Sequence, residues 1–142
     1  MKFQKKEIKM IFCECEFDPL LEQIADFLGA GDVELVFVND DEMRKINREH
    51  RGIDKATDVL SFPYEQVAGG LMGSVVISTD TASRVAGELG HSIECEIALL
   101  FLHGVLHILG YDHEIDNGQM REKEKEVIEH FSLPDSLIIR NS

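Results

Sequence analysis

The order of the predicted elements along the 142-residue chain indicates an α+β fold. Segments rich in β-branched residues lie mostly in the first half, whereas runs with helical spacing dominate the second half. A hydrophobic share of 44% supplies enough apolar side chains for one core. We therefore predict a single domain over residues 1–142, in which a small mixed β-sheet packs against helices.

The first elements are two strands with a helix between them. Residues 7–15 alternate unevenly between polar and apolar side chains and predict a strand. Apolar residues at helical spacing predict a helix over residues 20–28, which stops at Gly29. The β-branched run at residues 33–38 predicts the second strand.

A second helix and a third strand follow. Either Asn39 or Asp40 is suited to cap a helix that reaches about His50, because acidic residues fill its first turn. Residues 58–62 predict a strand that ends at Pro63, since proline cannot continue a central ladder.

The chain becomes mainly helical after a fourth strand at residues 73–77. Ser78 or Thr79 is predicted to cap a helix that reaches Leu89 and stops at Gly90. Ser92 is predicted to cap a long buried helix. The alternating Glu and Lys residues of 117–131 predict a charged amphipathic helix with a solvated face.

Composition and charge limit the class of protein. No apolar run reaches the roughly 18 residues that span a bilayer, and no signal-type segment follows the Lys-rich start, so we expect a cytoplasmic protein without a membrane partner. Three cysteines without a Cys-x-x-Cys spacing are expected to be reduced thiols. A net charge of −13 argues against nucleic-acid binding over the whole surface.

Basic residues are nevertheless concentrated within residues 44–55. They are Arg44, Lys45, Arg48, Arg51 and Lys55. The three arginines recur at helical spacing, and we call them the basic stripe. The stripe is either a solvated helix face paired with Glu49 and Asp54 or an anion-binding strip, and composition alone favours the solvated face.

Three histidines within residues 103–113 carry the strongest chemical signal. His103 and His107 are four residues apart, so a helix places both imidazoles on one face. Gly110 ends that helix, and His113 follows within reach of the same face. Imidazoles inside a buried apolar helix need polar partners or a metal. The pattern therefore predicts a three-histidine metal site on a buried helix.

Three neutral imidazoles with an open fourth position are typical of catalytic zinc, which activates water for hydrolysis. The spacing is that of the metzincin proteases, so the ligand frame is metzincin-like. Gly104, however, stands where those proteases have a general-base glutamate. Loss of that carboxylate costs about two to four orders of magnitude in rate, which argues against peptide cleavage.

Three segments of this chain also match the motifs of a known family. They are HGVLHILGYDH at 103–113, NREHRG at 47–52 and TDVLSFP at 57–63. In these segments the sequence resembles the YbeY endoribonucleases, the ribosomal-RNA maturation factors of bacteria, and the resemblance covers most of residues 33–131. Ser74 departs from the pattern, because the family usually has an aspartate after the glycine at that point.

The resemblance implies a zinc-dependent, single-strand-specific endoribonuclease. Its implied roles are maturation of the 3′ end of small-subunit ribosomal RNA and ribosome quality control. It implies one zinc ion held by His103, His107 and His113. The implied partners are single-stranded or ribosomal RNA and the ribosome or its associated proteins.

The resemblance also implies a function for the basic stripe. Arg51 corresponds to the functional arginine of the family's cleft, and an arginine fork suits a phosphodiester in shape and charge. We predict Arg51 as a catalytic residue. The predicted substrate-binding residues are Arg44, Arg48 and Lys55. Asp112 or Glu114 is predicted to orient a ligand imidazole, unless both are loop or capping residues.

Two other functions stay open at this point. A metallopeptidase would use the same three histidines with a base from elsewhere, and Gly104 argues against it. A non-catalytic ribosome-assembly factor would hold zinc for structure alone. A fourth protein ligand such as Cys95 would favour that second alternative.

Overall fold

The computed structural model describes residues 11–65 and 70–134, which form five helices and one four-stranded sheet. The elements in chain order are β1 (Ile11–Phe12), α1 (Leu20–Phe27), β2 (Val33–Val38), α2 (Asp40–Arg51), β3 (Val59–Pro63), β4 (Gly73–Ser78), α3 (Thr79–Leu89), α4 (Ile93–Ile108) and α5 (Gln119–Phe131). The predicted α+β class is confirmed.

The sheet is mixed, as predicted, and its strand order is β1-β2-β4-β3. Strands β1, β2 and β4 run parallel, whereas β3 pairs with β4 in the antiparallel sense. Pro63 pairs with Gly73 at the end of β3. Because β3 is an edge strand, the missing N–H of the proline costs the sheet no internal hydrogen bond.

The two faces of the sheet bury different side chains because residues alternate along each strand. One face carries Leu35, Val75 and Ile77 into the larger core cluster, which also holds Phe101 and Leu106 of α4. The opposite face forms a smaller cluster with α2. Its buried members are Val38, Met43, Leu60 and Val76. The sheet therefore separates α4 from α2.

Capping residues fix most helix ends where the sequence predicts them. Asn39 and Glu42 form a capping box at the start of α2. The hydroxyls of Ser78 and Ser92 accept hydrogen bonds from backbone N–H groups in the first turns of α3 and α4. Gly90 ends α3 in the left-handed conformation.

Two predicted boundaries differ from the structure by two residues or more. Residues 7–10 of the first predicted strand lie outside the described residues, and the prediction is wrong for residues 13–15, which follow β1 and include a bend. Helix α5 begins at Gln119 instead of residue 117, because Gly118 has a left-handed φ of 100°. The carboxylate of Asp116 accepts hydrogen bonds from the backbone N–H groups of Gly118 and Met120 and so caps this helix.

None of the five helices in residues 11–65 and 70–134 combines the length and the apolar composition that a membrane span requires. Helices α3 and α4 meet the length and composition requirements only together, across a bend of 117°.

Candidate metal centre

Helix α4 is held on nearly every side by the core. Ten of its 16 residues are buried. A helix that is apolar around its whole circumference belongs in an interior, and α4 packs against β3, β4, α1, α3 and α5. His103 and His107 are partly buried side chains on this helix, so their positions are fixed by the packing of the fold.

The structure brings together all three predicted metal ligands. One ring nitrogen from each of His103, His107 and His113 lies within 4.8 Å of the other two. The Nε2 atoms of His103 and His107 are 3.2 Å apart. Tetrahedral zinc with nitrogen ligands at about 2.0–2.1 Å requires about 3.3 Å between any two of them. The pair on the helix has this spacing.

A turn after the helix brings in the third histidine. Gly110 has a left-handed φ of 104°, and the backbone N–H of Tyr111 donates to the carbonyl of Leu106. The chain therefore reverses before His113. The Nδ1 atom of His113 is buried and has no hydrogen-bond partner among the described residues. A buried ring nitrogen without a partner is costly, and a metal or a water would satisfy it.

The loop residues predicted to orient an imidazole, Asp112 and Glu114, make no side-chain hydrogen bond to the three histidines among the described residues. A carboxylate oxygen of Asp112 accepts a hydrogen bond from the backbone N–H of Glu114 at 3.0 Å. The carbonyl of Asp112 accepts from the backbone N–H groups of Ile115 and Asp116. Asp112 is thus a loop residue, the alternative that the sequence had left open.

The carboxylate that contacts a ligand comes from α5. Oε2 of Glu124 accepts a hydrogen bond from Nδ1 of His103 at 2.9 Å. Glu124 is 1% exposed and was missed in the sequence analysis, which read α5 as a solvated face. The spacing of Met120, Glu124 and Val127 was the available signal, since positions i, i+4 and i+7 share one helix face.

The surroundings keep His107 neutral. Burial lowers the pKa of its imidazole below the usual value, and the neighbouring His103 and His113 rings lower it further. A hydrogen bond to the backbone of Tyr111 opposes this change. Because a metal binds the neutral imidazole, a lowered pKa favours the form of His107 that binds a metal.

The helix approaches the sheet most closely at Gly104. A Cβ atom built there would lie 2.9 Å from Cγ1 of Val75 and 3.5 Å from Cγ2 of Val59. The position at which metzincin proteases have their glutamate is therefore filled by the side chains of β3 and β4. A side chain larger than hydrogen fits there only if the Val75 side chain or its strand shifts.

The donor set is composed of histidine alone. Among the residues that the structure describes, the cluster contains no cysteine or carboxylate, and Cys95 is not part of it. Imidazole ligands suit zinc, copper, iron and nickel, and three of them leave a tetrahedral position open. The residues present therefore fit a catalytic zinc ion.

The basic stripe is partly neutralised by one carboxylate. Arg44 binds Asp54 in a bidentate manner, through Nε at 2.8 Å and Nη2 at 3.1 Å. Arg48 lies 3.5 Å from the same carboxylate. The hydrogen bond from Arg44 lowers the pKa of Asp54, so this side chain stays ionised. Arg44 and Arg48 thus form the predicted ion pairs with Asp54, whereas no ion pair with Glu49 is present among the described residues.

The end of the stripe is unpaired in the described part of the chain. Arg51 is the last residue of α2, is exposed, and makes no ion pair with residues 11–65 or 70–134. Lys55 is also exposed, and its carbonyl accepts a hydrogen bond from Nδ2 of Asn47 at 2.8 Å. No hydrogen bond or ion pair joins the stripe to the histidines among these residues.

A family model described as Endoribonuclease YbeY matches residues 2–132. The chain belongs to the YbeY endoribonuclease family. A Campylobacter fetus subsp. fetus (strain 82-40) relative named Endoribonuclease YbeY is 58% identical over 132 residues, which cover 93% of this chain and 98% of the relative. A Campylobacter jejuni subsp. jejuni (strain 81-176) relative of the same name is 62% identical over 89% of this chain and 93% of its own length.

A solved structure agrees with this assignment. The solution structure of TM1509 from Thermotoga maritima has a TM-score of 0.59 and 31% sequence identity, and the match covers 84% of this chain and 87% of that one. Membership of the YbeY family makes the chain an endoribonuclease, which is a hydrolase.

Ser74, where YbeY proteins were expected to have an aspartate, lies across the sheet from the histidines. Its neighbours Gly73 and Val75 face α4, so Ser74 points to the opposite side. The Ser74 hydroxyl contacts that of Tyr64 and donates to Oε1 of Glu34 at 2.5 Å. The substitution therefore leaves the metal centre untouched.

Proposed function

We propose that this protein is a zinc-dependent endoribonuclease that cuts single-stranded RNA. The convergence of three imidazole nitrogens supports this proposal, together with membership of the YbeY family. Maturation of the 3′ end of small-subunit ribosomal RNA in the cytoplasm is its proposed role, with a further part in ribosome quality control. Residues 1–142 act as one catalytic domain.

The proposed metal is zinc, held by His103, His107 and His113. When bound there, zinc supplies a Lewis acid that polarises a phosphoryl oxygen and lowers the pKa of a coordinated water. The chain contributes the geometry. The core fixes the two helical imidazoles, and burial keeps His107 unprotonated.

The charge of the RNA is balanced by α2 in this proposal. Arg51 neutralises the negative charge that develops on the scissile phosphate, because its fork can donate two parallel hydrogen bonds to phosphate oxygens. The loop after Arg51 leads into β3, whose Val59 packs against α4 next to His103. Further phosphates along the strand are bound by Arg44, Arg48 and Lys55.

Partners follow from the substrate. We propose ribosomal RNA, and with it the ribosome or ribosome-associated proteins, as the molecules that this protein meets. Because the net charge of −13 opposes the approach of RNA, a basic partner would help to bring the protein to its target.

The two alternatives are less well supported. A peptidase needs a proton-transferring carboxylate next to the ligands, and the packing of Val75 against Gly104 leaves no room for one at the metzincin position. A structural zinc needs a fourth protein ligand, and the cluster in the described residues offers three.

The decisive experiment is metal analysis followed by two activity assays. We expect one zinc per chain, cleavage of a single-stranded RNA, no cleavage of the matching duplex, and loss of cleavage on addition of a chelator. A casein assay of the same zinc-loaded sample tests the peptidase alternative. RNA cleavage that persists in zinc-free protein would contradict the proposal.

A further inference from the structure

Glu124 occupies a position where a hydrophobic residue would be expected. It lies between Met120 and Val127 on the buried face of α5, and it is 1% exposed. A buried carboxylate is expensive unless its oxygens are fully bonded. Only Oε2 has a partner, because Oε1 is buried and makes no hydrogen bond with the described residues. Packing alone therefore does not account for this residue.

The one hydrogen bond of Glu124 is directed at a predicted metal ligand. Oε2 accepts from Nδ1 of His103 at 2.9 Å, and Nε2 of the same ring faces Nε2 of His107 at 3.2 Å. A carboxylate is an acceptor only, so the ring must carry its proton on Nδ1. The lone pair then lies on Nε2, on the side of the histidine cluster.

A second buried glutamate gives an internal comparison. Glu96 of α4 is 0% exposed and lies 2.8 Å from Nε2 of His91. His91 is not part of the three-histidine cluster. Residues 11–65 and 70–134 thus hold two pairs of a buried glutamate and a partly buried histidine at nearly the same distance, and one of the two pairs reaches the cluster.

We infer that Glu124 is a positioning residue: it holds the proton of His103 on Nδ1, fixes the plane of the ring, and thereby strengthens the binding of a divalent metal. This inference rests on the proposed zinc site and adds a residue to it. Outer partners of this kind typically change metal affinity by about 10- to 100-fold. The negative charge of Glu124 also makes Nε2 of His103 more basic and therefore a stronger metal ligand.

The test compares three variants with the full-length wild type. Glu124→Leu removes the acceptor, Glu124→Gln keeps an acceptor oxygen without the charge, and Glu96→Gln changes the pair that does not reach the cluster. Zinc affinity is measured by competition with a chromophoric chelator. The protonation site of the His103 ring is read from imidazole ¹⁵N shifts in metal-free protein, and the metal-free Tm reports on folding.

We expect Glu124→Leu to weaken zinc binding by about 10- to 100-fold and to remove the single Nδ1–H signature of His103. Glu124→Gln should lose several-fold in affinity and keep the signature, since the amide oxygen still accepts the proton. Glu96→Gln should match the wild type in both readouts, whatever happens to its Tm.

Different results overturn different claims. Wild-type affinity in both Glu124 variants, or an Nε2–H ring at His103 in the wild type, would overturn the role of Glu124. If Glu124→Leu does not fold, Glu124→Gln decides, and unchanged affinity in that variant overturns the inference. A wild-type protein that binds no zinc would instead overturn the proposed metal site, a result that the chelator competition detects before any variant is made.

Discussion

Helices α4 and α2 both carry predicted site residues, but the fold treats them in opposite ways. Ten of the 16 residues of α4 are buried, whereas only two of the 12 residues of α2, Met43 and Asn47, are buried. The core thus holds the two histidines of α4 at a spacing that suits two ligands of one metal ion. The arginines of α2 lie in solvent, where one carboxylate, Asp54, positions two of them. Metal ligands require rigid placement, while phosphate contacts tolerate long flexible side chains.

The largest expected effect comes from the removal of a predicted metal ligand on the buried helix α4. His107→Ala should abolish zinc retention and RNA cleavage together, because the two remaining imidazoles are too few ligands to hold the ion. Metal analysis and an RNase assay of the same preparation test this. His130→Ala is the control, since His130 is an exposed ring that contacts Phe27 outside the cluster. Full cleavage by metal-free His107→Ala would refute the mechanism.

The next-largest effect tests whether Arg51, on the exposed helix α2, takes part in the chemistry. Arg51→Ala should lower the rate of RNA cleavage by about 10²- to 10³-fold, because one donor to the developing charge is lost. Arg51→Lys should lose less, since it keeps the charge and loses the fork. Single-turnover kinetics on a short RNA measure both. Lys45→Ala, on the same helix, controls for the loss of a positive charge, and an unchanged rate in Arg51→Ala would remove Arg51 from the catalytic residues.

A third change sharpens the comparison by releasing the arginines of α2. Asp54→Asn should free Arg44 and Arg48 from their shared carboxylate and tighten RNA binding several-fold at low salt. The gain should shrink as salt is raised, which fluorescence titration of a labelled RNA can follow. Glu49→Gln removes the same charge from an exposed position of α2. If both variants bind RNA equally well, Arg44 and Arg48 are not among its contacts.

The smallest effect concerns how α2 is attached to the domain. Asp40 accepts hydrogen bonds from the hydroxyls of Ser78 and Thr81, both at 2.6 Å, and these bonds lower its pKa. A group with a lowered folded-state pKa stabilises the fold above about pH 4 and loses this contribution as the pH falls through its folded value.

Asp40→Asn should therefore lower the free energy of unfolding at pH 7 by at most about 1 kcal/mol, because Asp40 is partly exposed. The difference from the wild type should be smaller at pH 3 than at pH 7. Urea unfolding at both pH values measures it. A difference of equal size at both values would mean that the charge of Asp40 contributes nothing.

The sequence predicted those features that depend on near neighbours in the chain. The caps at Asn39, Ser78 and Ser92 and the spacing of His103 and His107 involve residues within four positions of one another. Local geometry is sufficient to predict such pairs. The mixed sheet and the α+β class followed from the order of the elements.

The features that were missed depend on tertiary contacts. Glu124 lies 21 residues from His103, and nothing short of the packing of α5 against α4 brings them together. The same limit explains why Asp112 was considered for this role, since it is near the ligands in the chain but bonds its own loop. The pairing of the basic stripe likewise depends on tertiary placement, because only the structure shows that Asp54 lies against Arg44 and Arg48.

The close approach of Gly104 to Val75 also constrains how this protein can evolve. A single nucleotide change converts two of the four glycine codons into glutamate codons. One mutation could therefore place at position 104 the glutamate that metzincin proteases have. The substitution is nevertheless sterically unfavourable, because the glutamate side chain would clash with Val75 and contact Val59. A glutamate at position 104 would therefore be accepted more readily after a second substitution that shortens the side chain of Val75.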